Sequence, residues 1–360
     1  MSKIKVGVIG CGTIANAAHI PSYQKNEKAE IAYFCDIIPE RAENAVKKYN
    51  CGKAVADYRE VIADPGVEAV SVCTPNHMHA QISIDALRAG KQALCEKPPA
   101  RTLAEAKTMQ EAQAKTGNLL SIGVVNRFNP AVNKIKELVD MGELGEIYHV
   151  YVSFRAQRSI PGLGGAFTTK AIAGGGVLID WGVHYLDIVM YCLGDPAVKT
   201  ASGKGFCKLA KNMREYEYTG MWAEDTKNLD GIYDVDDFIT GFIRTAGSTI
   251  TLNGAWAQNI GVSETYIDFI GTKAGIRLAY GGDFLLYKIE KGELRGVSFE
   301  YGKWDMFQKE IDSFVDTVRT KTRLPSNIDT VIVTTGMMQA LYDSSEQEKE
   351  IVVGSKTWKK

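Results

Sequence analysis

The sequence predicts an α/β chain in two parts. Residues 1–125 read as a doubly wound parallel sheet, and residues 126–360 as an α+β domain with a mostly antiparallel, open sheet. Three observations predict this. Short, wholly apolar runs alternate with helical patterns through the first 125 residues. The rhythm then changes to longer, often alternating runs separated by turn signals. And 360 residues exceed one ordinary core, single domains clustering near ~100–200 residues.

Strands are expected at Ile4–Ile9, Glu30–Cys35, Ala69–Cys73, Gln92–Cys95 and Leu119–Ile122. Helices are expected at Thr13–Gln24, Pro39–Tyr49, His77–Ala89 and Thr102–Lys115, with a shorter turn over Tyr58–Ala63. Strands apolar on both sides, in βαβα order, belong to a parallel sheet covered by helices on both faces. The second part opens with a helix around Ala131–Asp140. Strand patterns follow at Ile147–Arg155, Asp236–Arg244, Thr249–Ala257, Tyr266–Gly271 and Gly275–Ala279, and helices at Trp304–Thr320 and Asp329–Asp343 close the chain. Turn pairs such as Ala246-Gly247, Gly271-Thr272 and Gly281-Gly282 make the sheet mostly antiparallel. The polar stretch Lys208–Asp230 reads as an irregular excursion, and there is no internal repeat.

Composition excludes several classes. An apolar fraction of 45% and a charged fraction of 24% are those of a soluble globular protein. A formal net charge of -1 gives no electrostatic case for nucleic acid or an anionic membrane. The N-terminus runs into an apolar strand without a signal-peptide layout, and no apolar stretch is read as reaching the ~20 residues that span a bilayer. The seven cysteines include no Cys-x-x-Cys pair, and Cys35, Cys73 and Cys95 end apolar runs as small hydrophobes do. A disulfide framework is not expected, and the chain reads as cytoplasmic.

The first functional motif is Gly10-x-Gly12-x-x-Ala15, between a strand and a helix, with Asp36 ending the next strand. Gly10 permits a tight turn, Gly12 lets a pyrophosphate approach the backbone, and Ala15 allows close helix–strand packing. The first helical N–H groups, at Thr13 and Ile14, then point at phosphate oxygens. Asp36 suits ribose hydroxyls and repels a 2′-phosphate, which favours NAD over NADP. Arg41 tempers that preference, since its guanidinium is within reach of the adenine or a phosphate.

A second loop, Cys73-Thr74-Pro75-Asn76-His77-Met78-His79, leaves the strand at Ala69–Cys73 and should border the same ligand. Thr74 or Asn76 is suited to the ribose or diphosphate, and Asn76 also to capping the helix. His79 is assigned to the cofactor side, the alternative for either histidine being a surface position. Two histidines two apart diverge on a helix, and no Cys/His cluster occurs, so no metal is expected.

The third motif is Glu96-Lys97-Pro98-Pro99 at the end of a buried strand. The prolines stop the ladder, and Lys97 projects from the sheet's carboxyl edge. The fourth is Gly174-Gly175-Gly176-Val-Leu-Ile-Asp180-Trp-Gly-Val-His184, opening a helix of about Gly176–Leu193 that is apolar around most of its circumference. Asp180 and His184 are an i,i+4 pair, with Asp187 continuing the stripe. Ionisable groups on such a helix are paired or used; the alternative is a pair that satisfies itself in a core. The three glycines let backbone or substrate pass close by.

Taken together, Gly10/Gly12/Ala15, Thr74-Pro75-Asn76, Glu96-Lys97-Pro98 and Asp180-x-x-x-His184 resemble the glucose–fructose oxidoreductase / inositol dehydrogenase (Gfo/Idh/MocA) family over essentially the whole length. The resemblance implies an N-terminal Rossmann domain that binds NAD, Glu96 included in the cofactor motif, and a C-terminal domain for substrate and for homo-dimers or homo-tetramers through its sheet. It implies Lys97, Asp180 and His184 as the catalytic set, allows a cis peptide at Lys97–Pro98, and implies oxidation of a hydroxyl-bearing carbon of a sugar, an inositol or a sugar derivative. Arg127, in Asn126-Arg127-Phe128, matches the family's domain junction and is within reach of cofactor or substrate. The segment Arg155–Thr169 resembles the variable, substrate-facing loop, with Arg158 and Thr168 as donors. Trp181 and Tyr185 either stack on a sugar ring or belong to the core. The competing activities are a glycosidase using bound NAD for transient oxidation and elimination, and a non-catalytic NAD or sugar sensor.

Overall fold

The computed structural model describes residues 2–219 and 227–353. They divide into two compact units, residues 2–128 with 305–332, and residues 129–304 with 333–353.

In the first unit, β1 (Ile4–Ile9) leads to a helix over residues 13–25, a π-helical turn at Ala15–His19 followed by α1 (Ile20–Lys25). Then come β2 (Ala29–Cys35), α2 (Pro39–Tyr49), β3 (Lys53–Val55), α3 (Tyr58–Ala63), β4 (Ala69–Val72), α4 (Asn76–Arg88), β5 (Gln92–Glu96), α5 (Leu103–Thr116) and β6 (Leu120–Gly123). The strand order is β3-β2-β1-β4-β5-β6, every pairing parallel. β1, β4, β5 and β6 are buried almost throughout, which is why they read as continuous apolar runs. The chain leaves β1 toward β2 and returns to its other side as β4. That reversal is the topological switch point, beyond whose strand ends ligands bind.

The second unit begins with α6 (Pro130–Asp140), capped by the Asn129 side chain, and β7 (Ile147–Arg155). After α7 (Lys170–Ala173), a helix over residues 177–193 consists of a π-helical turn at Leu178–Gly182 and α8 (Val183–Leu193). The strands β8 (Val198–Phe206), β9 (Phe238–Thr245), β10 (Thr249–Ala255), β11 (Glu264–Gly271), β12 (Ala274–Ala279), β13 (Phe284–Glu290) and β14 (Glu293–Phe299) follow. α9 (Met306–Thr317) belongs to the first unit, α10 (Ile328–Gln347) starts there and continues into the second, and β15 (Ile351–Val352) ends the described chain. The second sheet runs β14-β13-β12-β11-β7-β10-β9-β8-β15, antiparallel except for β7 with β10.

Three findings differ from the sequence reading. β3, β8, β13, β14 and β15 carry no clear alternation and were not expected. Residues 305–332 return to the first sheet: Ile122 N–H donates to Ser326 O at 2.8 Å, and Ile311, Phe314 and Val315 join the core of Val6, Val8 and Phe34. And the helical stretch Lys170–Leu193 does have membrane-spanning length and composition, although 78% of that window is buried inside the protein, as in a core helix. The expected excursion Lys208–Asp230 shows turns and bends over its described flanks; residues 220–226 lie outside the described residues. All seven cysteines are free.

Candidate active site

At the carboxyl edge of the first sheet the glycine turn has two kinds of glycine. Gly10 has φ +92°, and a Cβ there would lie 2.5 Å from the Cys73 carbonyl oxygen, so no other residue fits. A Cβ at Gly12 would meet nothing within 4 Å. Nothing in the described chain demands glycine there. The dinucleotide fingerprint reserves such an open position for a pyrophosphate approaching the backbone. Thr13 is exposed and Ile14 half-buried in the first helical turn, where N–H groups have no intrahelical acceptor. Asp36, at the tip of β2, is 7% exposed. Its Oδ2 accepts the Cys11 N–H and its Oδ1 the Ile38 N–H, both at 2.9 Å. The carboxylate is thus clamped to the glycine turn with lone pairs to spare. Arg41 is exposed on α2.

Beyond β4, the Thr74 hydroxyl is buried with no protein partner, an orphaned donor at a strand end where a ligand group is expected. Asn76 does not cap α4; Pro75 is the cap residue and no side chain caps the helix. His79 is not a surface residue. It is 1% exposed, and its ring nitrogens lie 2.7 Å from the carbonyl oxygens of Pro98 and Thr74. Burial pushes its pKa down, against those two carbonyls. It braces the Thr74 loop against the segment after Lys97, and its polar atoms are used in doing so.

Glu96 likewise faces inward. It is 6% exposed; Oε1 lies 2.8 Å from His19 Nε2, and Oε2 accepts the Lys97 N–H at 3.0 Å. Burial raises the Glu96 carboxyl, but the His19 hydrogen bond and charge outweigh it and hold the group below its ordinary value. His19 in turn meets Ser71 Oγ at 3.3 Å, and Ser71 meets the Tyr23 hydroxyl at 2.8 Å. Glu310 on α9 is fully buried with neither carboxyl oxygen hydrogen-bonded, and burial together with the Glu96 charge pushes its pKa far up. Lys97 is half-buried, and the Lys97–Pro98 peptide is cis. Arg127 is 2% exposed, with Nη1 donating to Pro325 O at 2.6 Å and Thr330 Oγ1 at 2.9 Å.

In the second unit, Asp180 lies in the π-helical turn and is 6% exposed, while His184 is half-buried at the start of α8. π-Turns concentrate at functional sites. Tyr185 is core: its ring stacks on Tyr280 at 4.5 Å and tilts against Phe154 at 5.0 Å, and Trp181 packs on the same core. Tyr280 is partly exposed, and its ring lies 6.4 Å from the His184 ring. Thr168 ends a short 3-10 turn, Ala166–Thr168. It is 0% exposed; its hydroxyl donates to Ile232 O at 2.9 Å and accepts the Gly164 N–H at 2.8 Å. Those bonds hold the loop that carries it. Arg158 is half-buried, lies over the Tyr216 ring and donates to Asn259 Oδ1.

Comparison with known proteins adds the lineage. Residues 4–124 match the Gfo/Idh/MocA oxidoreductase family's NAD-binding Rossmann fold, and residues 132–277 match the family's C-terminal domain. The chain is 30% identical to a D-glucoside 3-dehydrogenase of Escherichia coli (strain K12) over 348 residues, 96% of each protein. It belongs to the Gfo/Idh/MocA family. As a member it is an NAD-binding oxidoreductase. A levoglucosan dehydrogenase of Pseudarthrobacter phenanthrenivorans is 34% identical over 78% of this chain and 74% of that protein. A solved levoglucosan dehydrogenase in complex with NADH and levoglucosan superposes with TM-score 0.83 over 98% of this chain and 100% of that one; at 21% identity this speaks for the fold.

Proposed function

We propose that this family member oxidises a hydroxyl-bearing carbon of a sugar, an inositol or a sugar derivative, with NAD preferred over NADP. The observation that carries the reading is the Asp36 carboxylate clamped beside Gly12, whose missing side chain serves no packing need of the chain itself. The backbone at Gly10, Gly12, Thr13 and Ile14 holds the diphosphate, Asp36 the adenosine ribose, Thr74 and Asn76 the neighbouring oxygens, and Arg41 the adenosine edge. NAD+, when bound, supplies the hydride acceptor. His184 takes the hydroxyl proton as general base, an imidazole suiting neutral pH. Lys97 donates to the same oxygen and stabilises its developing charge, and Asp180 orients the substrate. Arg158 is the remaining donor of the variable loop. Glu96 and His79 act behind the site, holding Lys97 and the Thr74 loop, and Arg127 holds residues 325–330 against the end of the first sheet.

The substrate class is supported by relatives acting on glucosides, levoglucosan and inositols. The reading assigns residues 1–125 to the cofactor and 126–360 to substrate and assembly, save residues 305–332, which return to the first unit. Exposed Tyr148, Tyr151, Leu294 and Val297 on the second sheet support a homo-dimer or homo-tetramer through that sheet, to be tested by light scattering. Seven free thiols support a reducing compartment, the cytoplasm. The deciding assay follows reduced-nicotinamide absorbance with NAD+ and NADP+ across inositols, aldoses, glycosides and sugar acids. Lys97→Met and His184→Ala should each lose most turnover while circular dichroism stays unchanged. Wild-type rates in both variants would refute the assigned roles, and glycoside cleavage without net NADH would favour the glycosidase.

A further inference from the structure

The helix of residues 177–193 carries Asp180 and His184, yet the contacts that fix its start come from a residue some 60 positions away. Asp236, just ahead of β9, is 8% exposed. Its Oδ1 accepts the Gly176 N–H at 2.7 Å, its carbonyl the Val177 N–H at 2.9 Å, and its Oδ2 the Leu178 N–H at 3.1 Å. Three successive donors that a helix start leaves without intrahelical acceptors therefore end on one residue. A carboxylate also suits the positive end of the helix. Two residues on, the Asp180 N–H returns to Gly176 O at 3.0 Å, so the clamp sets the turn that carries Asp180. The Tyr342 hydroxyl of α10 donates to Asp236 Oδ1 at 2.7 Å and braces it from behind.

The glycine run has its explanation here. A Cβ on Gly176 would lie 1.9 Å from the Asp236 carbonyl oxygen, and one on Gly175 2.2 Å from the Tyr342 hydroxyl. Asp237 is used elsewhere: its Oδ2 accepts from the Lys208 and Leu209 N–H groups and from the Tyr233 hydroxyl.

We infer that Asp236, steadied by Tyr342, is a positioning residue for the reaction, holding the turn that presents Asp180 and His184. The inference rests on the roles proposed for those two side chains. Burial pushes the Asp236 carboxyl up to about 6, while the Tyr342 hydroxyl and the Gly176 and Leu178 N–H groups pull it down. The titratable groups facing it are Tyr342 from α10, Cys207 beyond β8 and the adjacent Asp237. Protonation turns one acceptor into a donor and releases a helix N–H.

The test uses the full chain with NAD+ and its best sugar, comparing Asp236→Asn, Tyr342→Phe and His184→Ala. Asp236→Asn should lower kcat on the order of tenfold or more, as small misplacements of reacting groups do, with the NADH dissociation constant unchanged. Tyr342→Phe removes a donor that holds the carboxyl down, so the acidic limb of kcat should move to higher pH; a merely structural loss would lower activity without moving that limb. Wild-type kcat, KM and acidic limb in Tyr342→Phe overturn the inference, and that variant decides alone should Asp236→Asn not fold. Wild-type turnover in His184→Ala overturns the underlying reading instead.

Discussion

Replacing Asp36 with Ala should collapse the discrimination between NAD and NADP. A hydrogen bond from a ribose hydroxyl to this carboxylate is worth about 1.5–3 kcal/mol, so its loss weakens NAD binding roughly 10- to 150-fold. NADP changes in the opposite direction. Its 2′-phosphate carries a charge of about -1.5 to -2, and a carboxylate ~4 Å away repels each unit charge by roughly 4 kcal/mol at an effective dielectric of ~20, less at physiological salt. Removing the carboxylate removes that repulsion. The specificity ratio should therefore fall by at least two orders of magnitude. The structure also sets a cost for the fold. The Cys11 and Ile38 N–H groups each donate to Asp36 at 2.9 Å, and a buried donor left without its acceptor costs about 1–3 kcal/mol. Asp36→Asn is the control, because it keeps the volume and one acceptor oxygen. The assay is kcat/KM for each cofactor at saturating sugar, with NADH fluorescence titration and thermal melting beside it. A ratio unchanged in Asp36→Ala, or a wild-type enzyme already preferring NADP, would refute the reasoning.

Other perturbations separate support from contact. His79→Ala should weaken NADH binding about tenfold, the worth of a hydrogen bond or two, with His79→Gln recovering part; an unchanged titration would remove His79 from the cofactor's support. His19→Leu strands the buried Glu96 carboxylate, and breaking such a pair costs about 3–5 kcal/mol, readable by urea unfolding; a loss under 1 kcal/mol would mean the pair contributes little. Thr168→Val should lower the melting temperature and leave KM for the sugar alone, whereas a raised KM would restore Thr168 to the substrate. Stability against pH should show two buried acids of opposite sign. Glu96, held below its ordinary 4.5, contributes stability present above about that pH and lost as pH falls through its lowered value. Asp236, raised from 3.8 to about 6, contributes stability that is full below 3.8 and lost as pH rises through about 6, a difference of about 3 kcal/mol. Asp236→Asn should flatten the unfolding free energy between pH 4 and 6, and an unchanged slope would contradict the raised value.

Legibility in the sequence followed locality. β1, α2, α3 and β7 were readable to the residue, because one period dominates each and turn residues bound it. β13 and β14 were not. β14 is exposed almost throughout, and in β13 the exposed Leu285 and Ile289 are as apolar as the buried Phe284 and Leu286, so no alternation forms in sequence, and the one cue was Lys291-Gly292, both at positive φ in a two-residue hairpin loop. β8 hides behind Gly203 and Gly205; a Cβ on Gly203 would lie 2.8 Å from Leu341 of α10, and one on Gly241 2.7 Å. Those glycines answer a tertiary contact, as do Gly175 and Gly176. The return of residues 305–332 was equally invisible, since Lys28 meets Asp316 at 2.6 Å across 288 positions.

The site residues divide along the same line. Gly10, Gly12 and Asp36 could be read as ligand-facing because a strand–turn–helix encodes its own geometry within about thirty residues. Glu96, His79 and Thr168 are expected at the ligands because of their company in sequence, and their burial with protein partners supports a holding role instead. A polar side chain taken out of water needs partners in the fold. Glu96 finds them in His19 and the Lys97 N–H, His79 in two carbonyls, and Thr168 in the Ile232 carbonyl and the Gly164 N–H. Such residues hold the backbone from which a reactive group projects, and placement to within about 0.5 Å depends on that support. Motif membership alone cannot separate the two kinds. A better sign is whether a buried polar atom already has a protein partner: the Thr168 hydroxyl both donates and accepts, and the buried Thr74 hydroxyl does neither.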